Sequence, residues 1–146
     1  MLLPGEIYFF DIYSEMETIF FSSSLVFILS FEKKGLIFIS QYSKVIDFND
    51  SLFLAVDPGL WLSFIIMEKK LGVSESDLMV FGGSNILGDR YKIGYENYKV
   101  FKNIVNSMSK NVIIEDIGGN FSRKIYFKNG KIKVINTIGE VREYVL

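Results

Sequence analysis

Residues 112–135 read VIIEDIGGNFSRKIYFKNGKIKVI, and this stretch indicates the fold class most directly. Three runs rich in β-branched and aromatic residues are separated first by Gly118-Gly119 and then by Asn129-Gly130. An Asn-Gly pair between alternating segments predicts a two-residue hairpin turn, because both turn positions need a positive φ. The stretch therefore predicts β-strands at Val112–Ile117, Lys124–Phe127 and Lys131–Ile135.

The same composition predicts strands earlier in the chain. Runs of β-branched and aromatic residues there are bounded by Gly5, by a serine cluster at Ser22–Ser24 and by Gly35. Such runs between turn residues are typical of strands. They lie at Ile7–Tyr13, at Thr18–Phe31 (with or without a break at its serines), at Leu36–Ser40 and at Asp77–Phe81.

Two segments have helical periodicity instead. Asp57-Pro58 predicts an N-cap followed by proline at the first helical position, and Gly72 predicts the end of that helix. Gly94 opens the second helix. We expect both apolar stripes to pack in a core. The stripes are Leu60, Phe64, Met67 and Leu71 in the first helix, and Tyr98, Phe101, Val105 and Met108 in the second.

Together these elements predict an α+β fold. No Pro/Ser-rich linker or internal repeat divides the sequence, so we expect one domain over residues 1–146. In this fold two amphipathic helices pack against mixed β-sheet.

The composition excludes several kinds of site. The 146 residues include no cysteine and no histidine, which excludes disulfides, thiolate nucleophiles, Cys/His zinc sites and the commonest general base at neutral pH. We expect no metal and no cofactor. Sixteen Lys+Arg against seventeen Asp+Glu argue against a nucleic-acid binder. The lysines around the hairpin are expected to form a solvated face; they are Lys124, Lys128, Lys131 and Lys133.

No segment predicts membrane insertion. The most apolar stretch, Thr18–Phe31, is shorter than the roughly 20 residues of a spanning helix, and it ends at Glu32-Lys33-Lys34. Residues 1–17 carry four carboxylates and no lysine, unlike a secretory signal. We therefore expect a cytoplasmic protein.

Two glycine-containing segments stand out from this background. Val80–Asn85 and Asp116–Arg123 each contain the end of a predicted strand followed by Gly-Gly, and Ile93–Asn97 follows the first of them. Neither pair has the spacing of a phosphate-binding loop or a dinucleotide fingerprint. A tight loop and a binding role explain each pair equally well on physical grounds.

In this order, the segments resemble the CheD family, the chemoreceptor glutamine deamidases of bacterial chemotaxis. That family has a strand ending Phe-Gly-Gly-Ala, then Ile-Gly-x-x-Asn opening a helix, then Asp-x-Gly-Gly-x-x-x-Arg before a terminal hairpin. The corresponding segments here are Phe81–Ser84, Ile93–Asn97 and Asp116–Arg123. The resemblance covers most of the chain, is strongest from about Asp57 onward, and implies a CheD-like sandwich.

The resemblance also implies that the catalytic residues are missing. The family's Thr-x-Gly-x-Gly-Ser-Cys motif puts its threonine at Thr18 and its nucleophilic cysteine at Ser24. Its catalytic histidine falls near Ile39, or at Ser40 if the register slips by one. Attack on an amide needs both a nucleophile and a base. The resemblance therefore predicts a deamidase homologue that has lost its activity.

Two alternatives stay open beside an inactive homologue. One is an active amidohydrolase that uses Ser24 with a base other than histidine. The lysines nearest to Ser24 in sequence are Lys33, Lys34 and Lys44. A solvated lysine, however, has a pKa of about 10.4 and is a poor base at neutral pH. The other is a role unrelated to chemotaxis. The plain interpretation of Ser22–Ser24 is a polar kink between two apolar segments.

The resemblance implies protein partners, namely the cytoplasmic region of methyl-accepting chemoreceptors or a CheC-like phosphatase. Ile86 and Leu87 are either exposed anchors of such a contact or fold back onto the core. Arg123 is expected to brace its loop by pairing with Asp116 or another carboxylate. The candidate contact residues are Phe81, Gly82, Gly83, Ser84, Ile86, Leu87, Gly118, Gly119 and Arg123.

Overall fold

A computed structural model gives the fold, and it describes Met1 and residues 7–31, 36–42, 77–86, 93–107 and 111–146. This part of the chain forms two β-sheets and a helix. The helix, α1, is Ile93–Ser107. The strands are β1 (Ile7–Asp11), β2 (Glu15–Glu17), β3 (Leu25–Phe31), β4 (Leu36–Tyr42), β5 (Asp77–Gly82), β6 (Val112–Ile117), β7 (Arg123–Lys128), β8 (Lys131–Asn136) and β9 (Val141–Val145).

The first sheet has five strands in the order β1-β4-β3-β5-β6. Its pairs are antiparallel except β5 with β6, which are parallel and have α1 between them in the chain. All seven residues of β3 are buried. One face of β3 contacts the helix, where the ring centroids of Phe27 and Phe101 are 6.1 Å apart. A strand covered on both faces is apolar throughout, as β3 is except for Ser30.

The second sheet has four antiparallel strands in the order β2-β7-β8-β9. The β7–β8 hairpin turns at Asn129 and Gly130, with φ angles of 49° and 71°. The Asn-Gly prediction is therefore confirmed, because this turn needs positive φ at both positions.

The main hydrophobic cluster lies between the two sheets. Residues of β3 and β5 pack there against alternate residues of β7 and β8, which gives the second sheet one buried face. The layers are then helix, five-stranded sheet and four-stranded sheet, an α+β arrangement as predicted. The buried members are Phe21, Val26, Ile28, Met79, Phe81, Ile125, Phe127, Ile132 and Val134.

Two of the predicted strands are too long. The strand predicted at Ile7–Tyr13 ends at Asp11 in the structure. There the Asp11 carboxylate accepts the backbone N–H of Tyr13 at 2.9 Å, which turns the chain. In Thr18–Phe31 only the second half is a strand, and Ser22–Ser24 form a bend before Leu25. The break at the serines, left open by the sequence, is present.

The second predicted helix is confirmed as α1, with Phe101 and Val105 buried on the predicted face. The first predicted helix, from Asp57 to Gly72, lies outside the described residues, as does Met108. The sequence did not predict β2 or β9. Within the described part of the chain, no helix is both long and apolar enough to cross a bilayer.

Candidate functional site

The bend Ser22–Ser24, here called the serine turn, lies against the loop that follows β5. The first glycine loop, Gly82–Asn85, consists of the last residue of β5 and the three residues that follow it. The backbone N–H of Gly83 donates to the Ser24 carbonyl at 3.1 Å, and the N–H of Ser84 donates to the Ser22 carbonyl at 2.8 Å. Two hydrogen bonds therefore fix the serine turn on a loop some sixty residues away in sequence.

The second glycine loop, residues 118–122, lies beside the first. The N–H of Gly118 donates to the Gly82 carbonyl at 2.8 Å, and the N–H of Asn85 donates to the Gly119 carbonyl at 3.0 Å. The Ser84 hydroxyl also donates to the Gly118 carbonyl at 3.1 Å. Because β5 and β6 are parallel neighbours, their carboxyl ends bring both loops to one edge of the sheet.

The glycines of these loops allow close contact within the chain itself. At Gly82, φ is +115° and an added Cβ would collide with the Ser24 carbonyl oxygen. At Gly94, an added Cβ would collide with the carbonyl oxygens of Gly83 and Ser84. The N–H groups of Gly83, Ser84, Asn85 and Gly118 donate to carbonyls of this chain. They do not face outward, as a ligand-binding loop would require.

Arg123 lies at the centre of the site and is 1% exposed. One terminal nitrogen donates to the Ser84 hydroxyl at 2.7 Å, and the other donates to the Asp116 carboxylate at 3.1 Å. The guanidinium also lies 4.6 Å from the centroid of the Phe121 ring. Burial lowers the pKa of Arg123, while the charge of Asp116 raises it. The predicted brace between Arg123 and Asp116 is confirmed.

The start of α1 is attached to the same site. Asn97 is fully buried, and its side-chain nitrogen donates to the Ser23 carbonyl at 2.7 Å. Asn85 accepts the backbone N–H of Tyr95 at 3.3 Å through its side-chain oxygen. Sequence reasoning assigned neither asparagine a role. The signal for Asn97 was its place in the Ile-Gly-x-x-Asn motif.

The family described as CheD chemotactic sensory transduction matches residues 63–137, which is half of the chain. This chain belongs to the CheD family. The matched range contains both glycine loops, α1 and Arg123, and it begins after the serine turn. None of the curated proteins compared with the chain matches it.

The β3–β4 register keeps apart the two positions that the resemblance predicts for the CheD nucleophile and base. Ser24 is 7% exposed at the start of β3. Ile39 pairs with Ile28 in the β3–β4 hairpin, four residues along from Ser24, or about 13 Å of extended strand. Ser40 pairs with Phe27, three residues along.

Thr18, where the resemblance predicts the CheD motif threonine, has a structural role here. It is fully buried, and its hydroxyl oxygen accepts the backbone N–H of Ile125 at 3.0 Å. Its own N–H donates to the Ile125 carbonyl at 3.0 Å, so it holds the chain beside β7. Lys33, Lys34 and Lys44, named above as possible bases, lie outside the described residues.

Exposed apolar side chains flank the site. The side chains of Phe81, Ser84 and Arg123, three of the predicted contact residues, are at most 1% exposed. Exposed apolar side chains lie instead on the segments around them: Phe20 at 50%, Ile86 at 43% and Tyr95 at 53%. We call these three residues the apolar rim. Leu87 lies outside the described residues.

Among the residues that the structure describes, no three Asp or Glu side chains come together as a metal site would require.

Proposed function

We propose that this CheD-family protein acts in chemotaxis as a binding protein and does not deamidate glutamine. The observation that supports this proposal is the contrast within one site. Hydrogen bonds of Arg123 and Asn97 connect the two glycine loops, the serine turn and α1. In contrast, the resemblance predicts that serine and isoleucine replace the CheD nucleophile and base.

The chemistry of deamidation explains why this contrast matters. A nucleophile must attack an unreactive amide, and a base must activate it and then protonate the departing ammonia. A cysteine thiol, with a pKa of about 8.5, ionises far more readily than a serine hydroxyl. Ser24 therefore depends on a base more than cysteine would, and the chain contains no histidine.

The partner we propose is a chemoreceptor cytoplasmic region or a CheC-like phosphatase, bound at the apolar rim. Exposed aromatic and aliphatic side chains around a hydrogen-bonded, buried framework are typical of interface anchors. The framework holds its loops in place before binding, so little conformational entropy is lost on association. Ile86, the exposed residue next to the first glycine loop, is the anchor we expect to matter most.

Catalysis is tested by incubating the full chain with receptor cytoplasmic fragments and measuring conversion of glutamine to glutamate by mass spectrometry. A cysteine-containing CheD protein serves as the positive control. We expect no conversion above the protein-free blank. Conversion that disappears in Ser24→Ala would refute the proposal and establish the alternative, an amidohydrolase that uses Ser24.

Binding is tested by calorimetry with the receptor fragment and with a CheC-like phosphatase. Ile86→Asp is expected to weaken binding about tenfold or more, because a charge would replace an apolar anchor. Ile113→Asp is the matched control, since Ile113 is 53% exposed on β6, away from the glycine loops. If neither partner binds the wild-type chain, the role lies outside chemotactic complexes.

A further inference from the structure

A second candidate site lies on the outer face of the four-stranded sheet, away from the glycine loops. A concave surface of about 560 Å³ lies over β7, β8 and β9, and we call it the lysine groove. This volume is in the range of ligand sites in proteins. Its lining residues are Tyr126, Lys128, Asn129, Lys131, Lys133, Ile135 and Glu143.

Among the described residues, the charges of the groove are not balanced. Lys128 lies directly opposite Lys131 across the hairpin, and like charges at such positions repel. Lys133 lies opposite Glu143, but the two side chains form no ion pair. Within the described residues, neither Lys131 nor Lys133 has a carboxylate within ion-pair distance. The groove lining therefore holds three lysines and one glutamate. Of these lysines, Lys128 alone has an ion pair within the described part of the chain, with Glu15 at 3.2 Å.

The floor of the groove is apolar. Alternate residues of β7 and β8 enter the core, and the residues between them, including Tyr126 and Ile135, line the outer face and are half-buried. The Lys124 ammonium lies 5.0 Å from the centroid of the Tyr126 ring, so the aromatic face already contacts a cation. The groove therefore combines apolar contact surface with cations around it.

We propose that the lysine groove binds an acidic polypeptide segment. Carboxylates of the segment pair with Lys128, Lys131 and Lys133, which relieves the repulsion across the hairpin. Its apolar side chains lie on Tyr126 and Ile135. Charge complementarity supports this ligand, because the unpaired cations have no counter-charge of their own in the described chain.

The groove favours a peptide over a nucleic acid. Glu143 lies in it and Glu15 lies at the neighbouring β2 edge, where both would repel a continuous phosphate backbone. The chain also has a net charge of −1, without the basic excess of nucleic-acid binders. The groove is on the outer face of the second sheet, whereas the buried Arg123 lies on the inner face. The ligand of the groove is therefore separate from the partner of the apolar rim.

The test is fluorescence anisotropy on the full chain with a labelled short peptide of alternating glutamate and leucine. We expect this peptide to bind, with an affinity that falls as salt is added. The same peptide with glutamine for glutamate should not bind. Lys133→Glu should weaken binding about tenfold or more, whereas Lys99→Glu, the same change at an exposed position of α1, should not. Ile86→Asp should also leave it unchanged.

Thermal unfolding of both lysine variants checks that they fold, and Lys131→Gln provides a milder second change. The proposal is overturned if the glutamate peptide does not bind, or if Lys133→Glu and Lys99→Glu weaken the binding of the peptide equally. It is also overturned if a single-stranded RNA of similar length binds more tightly than the peptide.

Discussion

Two arginines contact the Asp116 carboxylate from different depths. Arg123 is 1% exposed and lies 3.1 Å away, while Arg142 has a side chain that is 58% exposed and lies 3.7 Å away. Only the inner pair is shielded from water. Depth therefore decides what each arginine contributes to stability.

Arg123→Ala is expected to lower the free energy of unfolding by about 3 kcal/mol, because it leaves Asp116 and Ser84 without their buried partner. Arg142→Ala is the matched control and should lower the free energy of unfolding much less, since exposed pairs are weak. Urea unfolding followed by circular dichroism measures both. Equal losses would show that Arg123 is no more important to the fold than a surface arginine.

Thr18 allows a second test with a near-isosteric change. Thr18→Val removes the acceptor for the Ile125 N–H in a fully buried place, so we expect a loss of about 1–2 kcal/mol. Thr137→Val is the control, because Thr137 accepts the N–H of Ser122 at 3.1 Å at an exposed place where water can substitute. A smaller loss for Thr18→Val than for the control would contradict the structural role.

Contacts near in sequence could be predicted, and distant ones could not. Arg123 and Asp116 belong to one motif, seven residues apart, so their pairing was expected. The hydroxyls of Ser22 and Ser122 are 2.7 Å apart, yet a hundred residues separate them. No local pattern signals such a contact, because it depends on the order of the strands.

Among the elements, the glycine and Asn-Gly signals predicted β5, β6 and the β7–β8 hairpin with ends within one residue. The strand β9 was missed. It has five residues, Val-Arg-Glu-Tyr-Val, and four of them are exposed. A short edge strand with one partner buries little, so its sequence shows only a weak alternation.

The approach of α1 to the first glycine loop predicts the cost of adding a methyl group there. Gly94→Ala should destabilise the protein by about 3 kcal/mol, because the added Cβ meets two carbonyl oxygens of the backbone. Gly139→Ala is a control that tests backbone strain without a steric collision, since φ is +93° there and an added Cβ would have nothing within 4 Å. We expect about 1 kcal/mol for it. Thermal unfolding measures both, and the reverse order would show that α1 can shift away from the loop.

The register of the β3–β4 hairpin predicts that two substitutions do not restore an enzyme. Ser24→Cys with Ile39→His restores both CheD residue types, but position 39 stays level with Ile28. A base four residues along the strand is too far from the nucleophile for proton transfer. Mass spectrometry of receptor fragments should therefore show no conversion. Conversion that requires Ile39→His would mean that the hairpin adopts another register.

At the scale of the molecule, β3 connects the layers. The helix packs on one of its faces through Phe101 and Phe27, and the second sheet packs on the other through the cluster that contains Val26 and Ile28. The glycine loops and the serine turn lie at the ends of β5, β6 and β3. A loss of packing between the sheets is therefore expected to destabilise the site and the helix together.

We predict that the described sheets and α1 unfold as one cooperative unit. Ile132→Val, in the core between the sheets, should cost about 1 kcal/mol. The free energy of opening of the slowest-exchanging amides should fall equally in α1 and in β8, although α1 lies on the far side of the first sheet. Hydrogen exchange measures this, with Ile138→Val as the same change at a 62% exposed residue and no expected loss. If exchange protection falls in β8 but not in α1, the two fold as separate units, because a substitution in a shared core destabilises every element that unfolds with it.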